Sequence, residues 1–211
     1  MKTTKFIACA ISLIILSFAQ AQDIGNAQAN SDKWSVFNRQ VSYKDGIIHL
    51  NSQEYDGLLW LKNTKFKNGI IEFDVKGKDT PGRSFIGFAF HGKDNDTYDA
   101  IYFRPFNFKN PEKKSKSVQY VSMPDNGWAV LRSAFPGKYE FEMSPVPKSE
   151  DDWFHVKIEI DYPQVKVYVN DFDKPTLEVE QISIGKDGRL GFWVGNNSEG
   201  WFKNLKITEN Q

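Results

Sequence analysis

Between Arg83 and Phe108 the chain reads RSFIGFAFHGKDNDTYDAIYFRPFNF, and many of its chemically versatile side chains gather there. Two runs alternate with period two around a polar turn, the pattern of a half-buried hairpin. In the first run Ile86, Phe88 and Phe90 share one face, opposite Phe85, Gly87, Ala89 and His91. In the second, Ile101 and Phe103 oppose Tyr98, Ala100, Tyr102 and Arg104. The apolar face is core. The other face mixes small residues with phenol, imidazole and guanidinium groups. Small residues let a ligand approach the backbone, aromatic rings give it a flat platform, and Arg104 offers a forked donor. The plainer reading is a wet sheet face that happens to carry aromatics.

Alternation extends this face to other strands. In Ile70–Val75, Ile71, Phe73 and Val75 point to the core and leave Glu72 and Asp74 opposite. Gln119 lies in the Ser117–Val121 run, and Trp193 stands between the core partners Phe192 and Val194. The assembled candidate face is Glu72, Asp74, Gly87, Ala89, His91, Tyr102, Arg104, Gln119 and Trp193. Asp94, Asn95, Asp96 and Asp99 crowd the hairpin turn. Calcium is held by several carboxylate and carbonyl oxygens, so Asp94, Asp96 and Asp99 are candidate ligands. The spacing is not that of an EF-hand, and Asp and Asn are also ordinary turn formers. No Cys/His metal motif, phosphate loop or Ser/His/Asp triad can be placed.

The elements that must position these residues are strands. Short runs recur after turn signals: Gly46–Leu50, Gly57–Leu61, Asn68–Val75, Trp153–Ile160, Val165–Val169, Leu177–Val179, Arg189–Gly195 and Trp201–Ile207. Residues 123–150 hold four prolines and read as a long excursion covering a rim of the sheet. The basic run from Asn107 to Ser117 reads as a solvated loop. Many short strands without helices imply an all-β, two-sheet antiparallel sandwich.

At its start the chain has Lys2 and Lys5, an apolar run from Phe6 to Ala19, and Ala19-Gln20-Ala21. This is a secretory signal peptide over 1–21, followed by a polar, disordered leader over 22–33 and one domain over 34–208. The apolar run is too short to span a bilayer comfortably. Lipidation at Cys9 is the alternative, weighed against by the apolar residues that follow it. The expected location is therefore secreted or periplasmic. Cys9 is the chain's one cysteine, so the domain has no disulfide and relies on its core. Basic and acidic residues balance at 27 each, which gives no electrostatic case for nucleic acid or an anionic membrane. Aromatics make up 15%, in keeping with an all-β core or contact with sugars.

The ordered elements Asn68-Gly69 with IIEFDV, FIGFAFHG, WFHVKIEI with VKVYVND, and GRLGFWVGNNSEGWFKNLKI resemble the concanavalin A-like lectin/glucanase superfamily in its laminin-G-like form. More narrowly, YDAIYFRPFNF followed by SVQY is similar to bacterial exported proteins with a 3-keto-disaccharide hydrolase domain. The resemblance covers about 34–208 and implies a jelly roll whose concave sheet holds carbohydrate, with Asp74, Tyr102, Arg104, Gln119 and Trp193 as contacts. A family 16 glucanase would carry Glu-x-Asp-x-x-Glu. Here Glu72 and Asp74 match, but Gly77 takes the third acid's place. Oxidation at a sugar's 3-position acidifies the neighbouring C–H, so a keto-glycoside can lose its aglycone by elimination. Glu72 or His91 would be the base and Arg104 the stabilising cation. The expectations are thus a saccharide-binding domain, a hydrolase or lyase of 3-keto-glycosides, or a structural adhesion module with no sugar site.

Overall fold

The computed structural model describes residues 20–23 and 31–210. The expected signal peptide up to residue 19, Cys9 and leader residues 24–30 lie outside them. One sheet runs β13 (Leu177–Glu180), β12 (Gln164–Val169), β11 (Phe154–Asp161), β6 (Gly69–Lys76), β15 (Gly200–Glu209), β4 (Ile47–Leu50) and β3 (Val41–Lys44). An eighth strand, β1 (Gln20–Asp23), pairs with β15, so the expected cleavage point after Ala21 falls inside a strand. The other sheet runs β10 (Glu140–Phe141), β9 (Val118–Met123), β8 (Tyr98–Phe103), β7 (Ile86–Gly92), β14 (Arg189–Val194), β5 (Gly57–Leu61) and β2 (Trp34–Phe37). Every pairing is antiparallel, as the alternating runs imply. The chain is an all-β jelly-roll sandwich.

Local sequence sets the turns. Asp45 and Gly46, at φ 51° and 74°, make the tight reversal between β3 and β4, a conformation glycine adopts without steric cost. Val, Ile and Phe at every second position fill the space between the sheets. Four rings from the central strands meet there. Phe73 lies 5.2 Å from Phe88, Phe88 5.3 Å from Phe192, and Phe192 4.5 Å from Phe202. Such pairs contribute about 0.5–1.5 kcal/mol each beyond their buried area.

The outer faces of the two sheets differ. Strands β6, β11 and β12 alternate buried and half-buried residues, whereas β5, β7 and β8 are buried throughout. The seven-stranded sheet carries a third layer. The expected excursion after β9 contains a seven-residue helix, α1 (Trp128–Ala134), which folds back toward that sheet and buries Leu131. Among the described residues no helix is long and apolar enough to cross a membrane.

Candidate functional site

Register places part of the expected face in one row. Trp193 pairs with Gly87, Gly87 with Tyr102, and Tyr102 with Gln119, so the row crosses β14, β7, β8 and β9. Gly87 makes the row possible. A Cβ there would sit 2.0 Å from the Ile101 carbonyl oxygen and 2.8 Å from Tyr102 Cβ. With no side chain between them, the Trp193 and Tyr102 rings lie 4.9 Å apart, tilted by 34°.

Arg104 and Gln119 belong to the floor rather than to its open surface. Arg104 donates from Nη2 to the Tyr102 hydroxyl (2.6 Å) and Gln119 Oε1 (3.2 Å), and from Nη1 to the Lys116 carbonyl (2.7 Å). Gln119 Nε2 donates to the Tyr120 and Tyr139 carbonyls. Burial lowers the Arg104 pKa and pushes that of Tyr102 up to about 12. The expected fork for a ligand is therefore engaged internally. Arg104 fixes the Tyr102 ring.

Glu72 and Asp74 are on the other sheet. Both point outward as alternation predicts, but β6 belongs to the eight-stranded sheet, so the expected single face is two faces on opposite sides of the molecule. Asp74 accepts from His155 Nδ1 (2.8 Å) and Asn204 Nδ2 (2.6 Å), while Glu72 lies 3.1 Å from Lys206 Nζ. His91 also leaves the row. Its φ of 50° reverses the expected alternation, and Nε2 bonds the Lys67 carbonyl at 2.8 Å. Its Nδ1 faces Gln181 Nε2 at 3.0 Å, and burial lowers its pKa, so the ring is neutral and held.

The expected calcium turn does not converge. Asp94 caps its own turn by accepting from the Asp96 and Thr97 amides, and both Asp94 and Asp96 are exposed. Asp99 is buried and accepts from Gln181 and Ser183. Among the described residues no group of three His, Cys, Asp or Glu side chains is placed to hold a metal.

The groove that the fold does build lies between the Trp193–Tyr102 row and α1. Its inner part is a cavity of about 330 Å³ with Phe85, Tyr102, Val121 and Trp193 on one side and Trp128 and Val130 on the other. Asp56, Met123, Pro124 and Asn196 separate it from an outer cavity of about 820 Å³ that reaches Tyr55, Asn95, Asp96 and Tyr98. Trp128 and Tyr55 are half or more exposed, at 50% and 76%, one beside each cavity.

Asp56 is the carboxyl common to both cavities. The Trp193 indole Nε1 donates to the Tyr98 hydroxyl (3.1 Å), which donates to Asp56 Oδ2 (3.1 Å). Burial raises the Asp56 pKa against the opposing pull of Tyr98 and Arg39. Arg39 is itself lowered to about 10, chiefly by burial. Its Nη2 donates to the Tyr55 (2.7 Å) and Gly195 (2.9 Å) carbonyls, tying together the two loops that carry Asp56 and Asn196. Gly57 leaves room for this, since a Cβ there would lie 2.4 Å from Arg39 Cγ. In the sequence Tyr55-Asp56 is one of the turn signals that precede a strand, and Trp128 falls in the excursion over residues 123–150. An aromatic-acid pair in a turn, Tyr55-Asp56, was the available signal.

Comparison with solved structures gives the same fold at low identity. The carbohydrate-binding module CBM66 from Bacillus subtilis superposes with a TM-score of 0.61 at 16% identity, covering 83% of this chain and 95% of its own. A Bacillus subtilis protein with a galectin-like fold gives 0.60 at 16%, covering 90% and 94%. The exoplasmic/lumenal domain of VIP36, bound to Ca2+ and Man3GlcNAc, gives 0.58 at 10%, covering 85% and 84%. A search of curated proteins returns no match. A jelly-roll sandwich whose seven-stranded sheet carries a covered aromatic row is thus what the described residues build, and over residues 20–208 the chain belongs to the family of the 3-keto-alpha-glucoside-1,2-lyase-like domain.

Proposed function

We propose that this carbohydrate-related domain binds a saccharide in the groove between α1 and the seven-stranded sheet. The observation that carries this reading is the groove's composition. Trp128, Tyr102 and Trp193 supply flat apolar surface, while Asp56 and Asn196 supply hydrogen-bonding groups at the junction of the two cavities. Sugars present C–H faces to rings and hydroxyls to carboxylates and amides, so such a mixture suits them. Trp128 is the informative position, because it is half exposed and its loss leaves the sandwich core intact. Trp128→Ala should weaken saccharide binding by about 1–3 kcal/mol in calorimetry, with an unchanged melting profile. Undiminished binding by this variant would remove the groove from the reading.

Family membership supports a second reading, cleavage of a 3-keto-glycoside in the same groove. Glu72 and His91 lie outside it, so Asp56 would be the proton acceptor. Incubation with 3-keto-glycosides decides between the two. Aglycone released by the native protein and not by Asp56→Asn would favour cleavage.

A further inference from the structure

From the charges around the groove we infer that its preferred ligand is an amino sugar, with the ammonium seated on Asp56. The inference rests on the saccharide-binding reading and adds the ligand's charge. The charged side chains lining the two cavities are Asp56 and Asp96, with no Lys, Arg or His in either wall. Among the described residues Asp56 has no ion-pair partner within 4.0 Å.

The nearby cations are committed elsewhere. Arg39 donates to backbone carbonyls, Arg104 is locked beneath Tyr102, and Arg132 makes a two-pronged pair with Glu140 at 2.7–3.0 Å. Asp56 accepts from the Tyr98 hydroxyl, and Arg39 acts on it only through space, beyond ion-pair distance. A half-buried carboxylate with no cation in direct contact is under-compensated, and an ammonium supplies the missing charge through a charge-assisted hydrogen bond.

The walls point the same way. Trp193, Tyr102 and Trp128 line the inner cavity and Tyr98 the outer one, Asp56 borders both, and aromatic faces attract cations. These features also act against uronates and sulfated or phosphorylated sugars, whose charge would meet Asp56 and Asp96 with no cation between.

The test is calorimetry on the intact protein with oligosaccharides of glucosamine, N-acetylglucosamine and glucose, matched in length and linkage, and with a glucuronate oligomer. We expect the free amine to bind at least about tenfold more tightly than its N-acetyl and neutral counterparts. Asp56→Asn should bring the ratio of amine to neutral-sugar affinity close to one, and that ratio, rather than neutral-sugar affinity itself, is the readout. N-acetylation of the ligand makes the same test without touching the fold. Neutral sugar binding as tightly as the amine, or glucuronate binding more tightly, would overturn the inference and leave the groove reading standing. Absence of binding by every sugar would overturn both.

Discussion

The outer faces of the two sheets obey the same alternation but have different neighbours. On β6 and β11 the outward residues are Glu72, Asp74, His155, Lys157 and Glu159, half-buried and joined by a His155–Asp74 hydrogen bond and a Lys157–Glu159 ion pair. On β8 and β14 they are Tyr98, Tyr102 and Trp193, all at least 95% buried. Solvent covers the first set, and α1 with its flanking loops covers the second. A sheet face becomes the floor of a groove when a third layer lies over it without filling the space beneath. Among the described residues the eight-stranded sheet has no such layer, and its acids and bases pair with one another.

The largest difference should appear in stability. Trp193→Ala should cost about 3–5 kcal/mol in denaturant unfolding, as much as Phe192→Ala, because both residues are buried. Lys157→Ala, outward on the other sheet, should cost no more than about 1 kcal/mol. Equal costs for Trp193→Ala and Lys157→Ala would abolish the contrast.

A smaller effect separates carboxyls by pH. Burial raises the Asp99 pKa above its unfolded value, near 3.9. The folded state therefore holds its proton longer. Its stabilising contribution is complete below that unfolded value and is lost as pH rises through the raised folded one. Asp99→Asn should show a shallower fall in stability from pH about 4 upward than the native protein. Parallel pH profiles would place Asp99 in contact with solvent.

The smallest effect is expected at Glu72. Glu72→Gln should change stability by less than about 0.5 kcal/mol and leave saccharide affinity untouched, since the residue sits on the far sheet. A loss of binding would shift the site to the charged face.

Much of the fold was legible because period two survives in nearly every strand. The outward direction of Trp193, Gly87, Tyr102 and Gln119 followed from the same rule, while their adjacency was implied only by the family resemblance. What alternation cannot supply is sheet membership. Glu72 and Tyr102 both point away from the core, and only pairing partners tell which outer side each reaches. A compositional hint existed, since EFDVK alternates polar with apolar whereas FIGFAF is apolar or small on both faces, as doubly covered strands are. His91 escaped because a left-handed backbone turn reverses the parity of side chains. Asp56 escaped because its role depends on Tyr98, Trp193 and Arg39, which are distant in sequence.

The positions of the last two strands have a consequence for how the chain is made. β14 sits between β7 and β5, and β15 between β6 and β4, so both sheets are completed at their centres by the final stretch of sequence. A nascent chain halted before Arg189 has neither sheet closed, and Phe88 lacks the ring contact of Phe192. Long-range pairing of this kind is slow and leaves strand edges exposed until it finishes. Strands made earlier therefore wait, largely unassembled, for β14 and β15, and these two strands act as the keystone of both sheets.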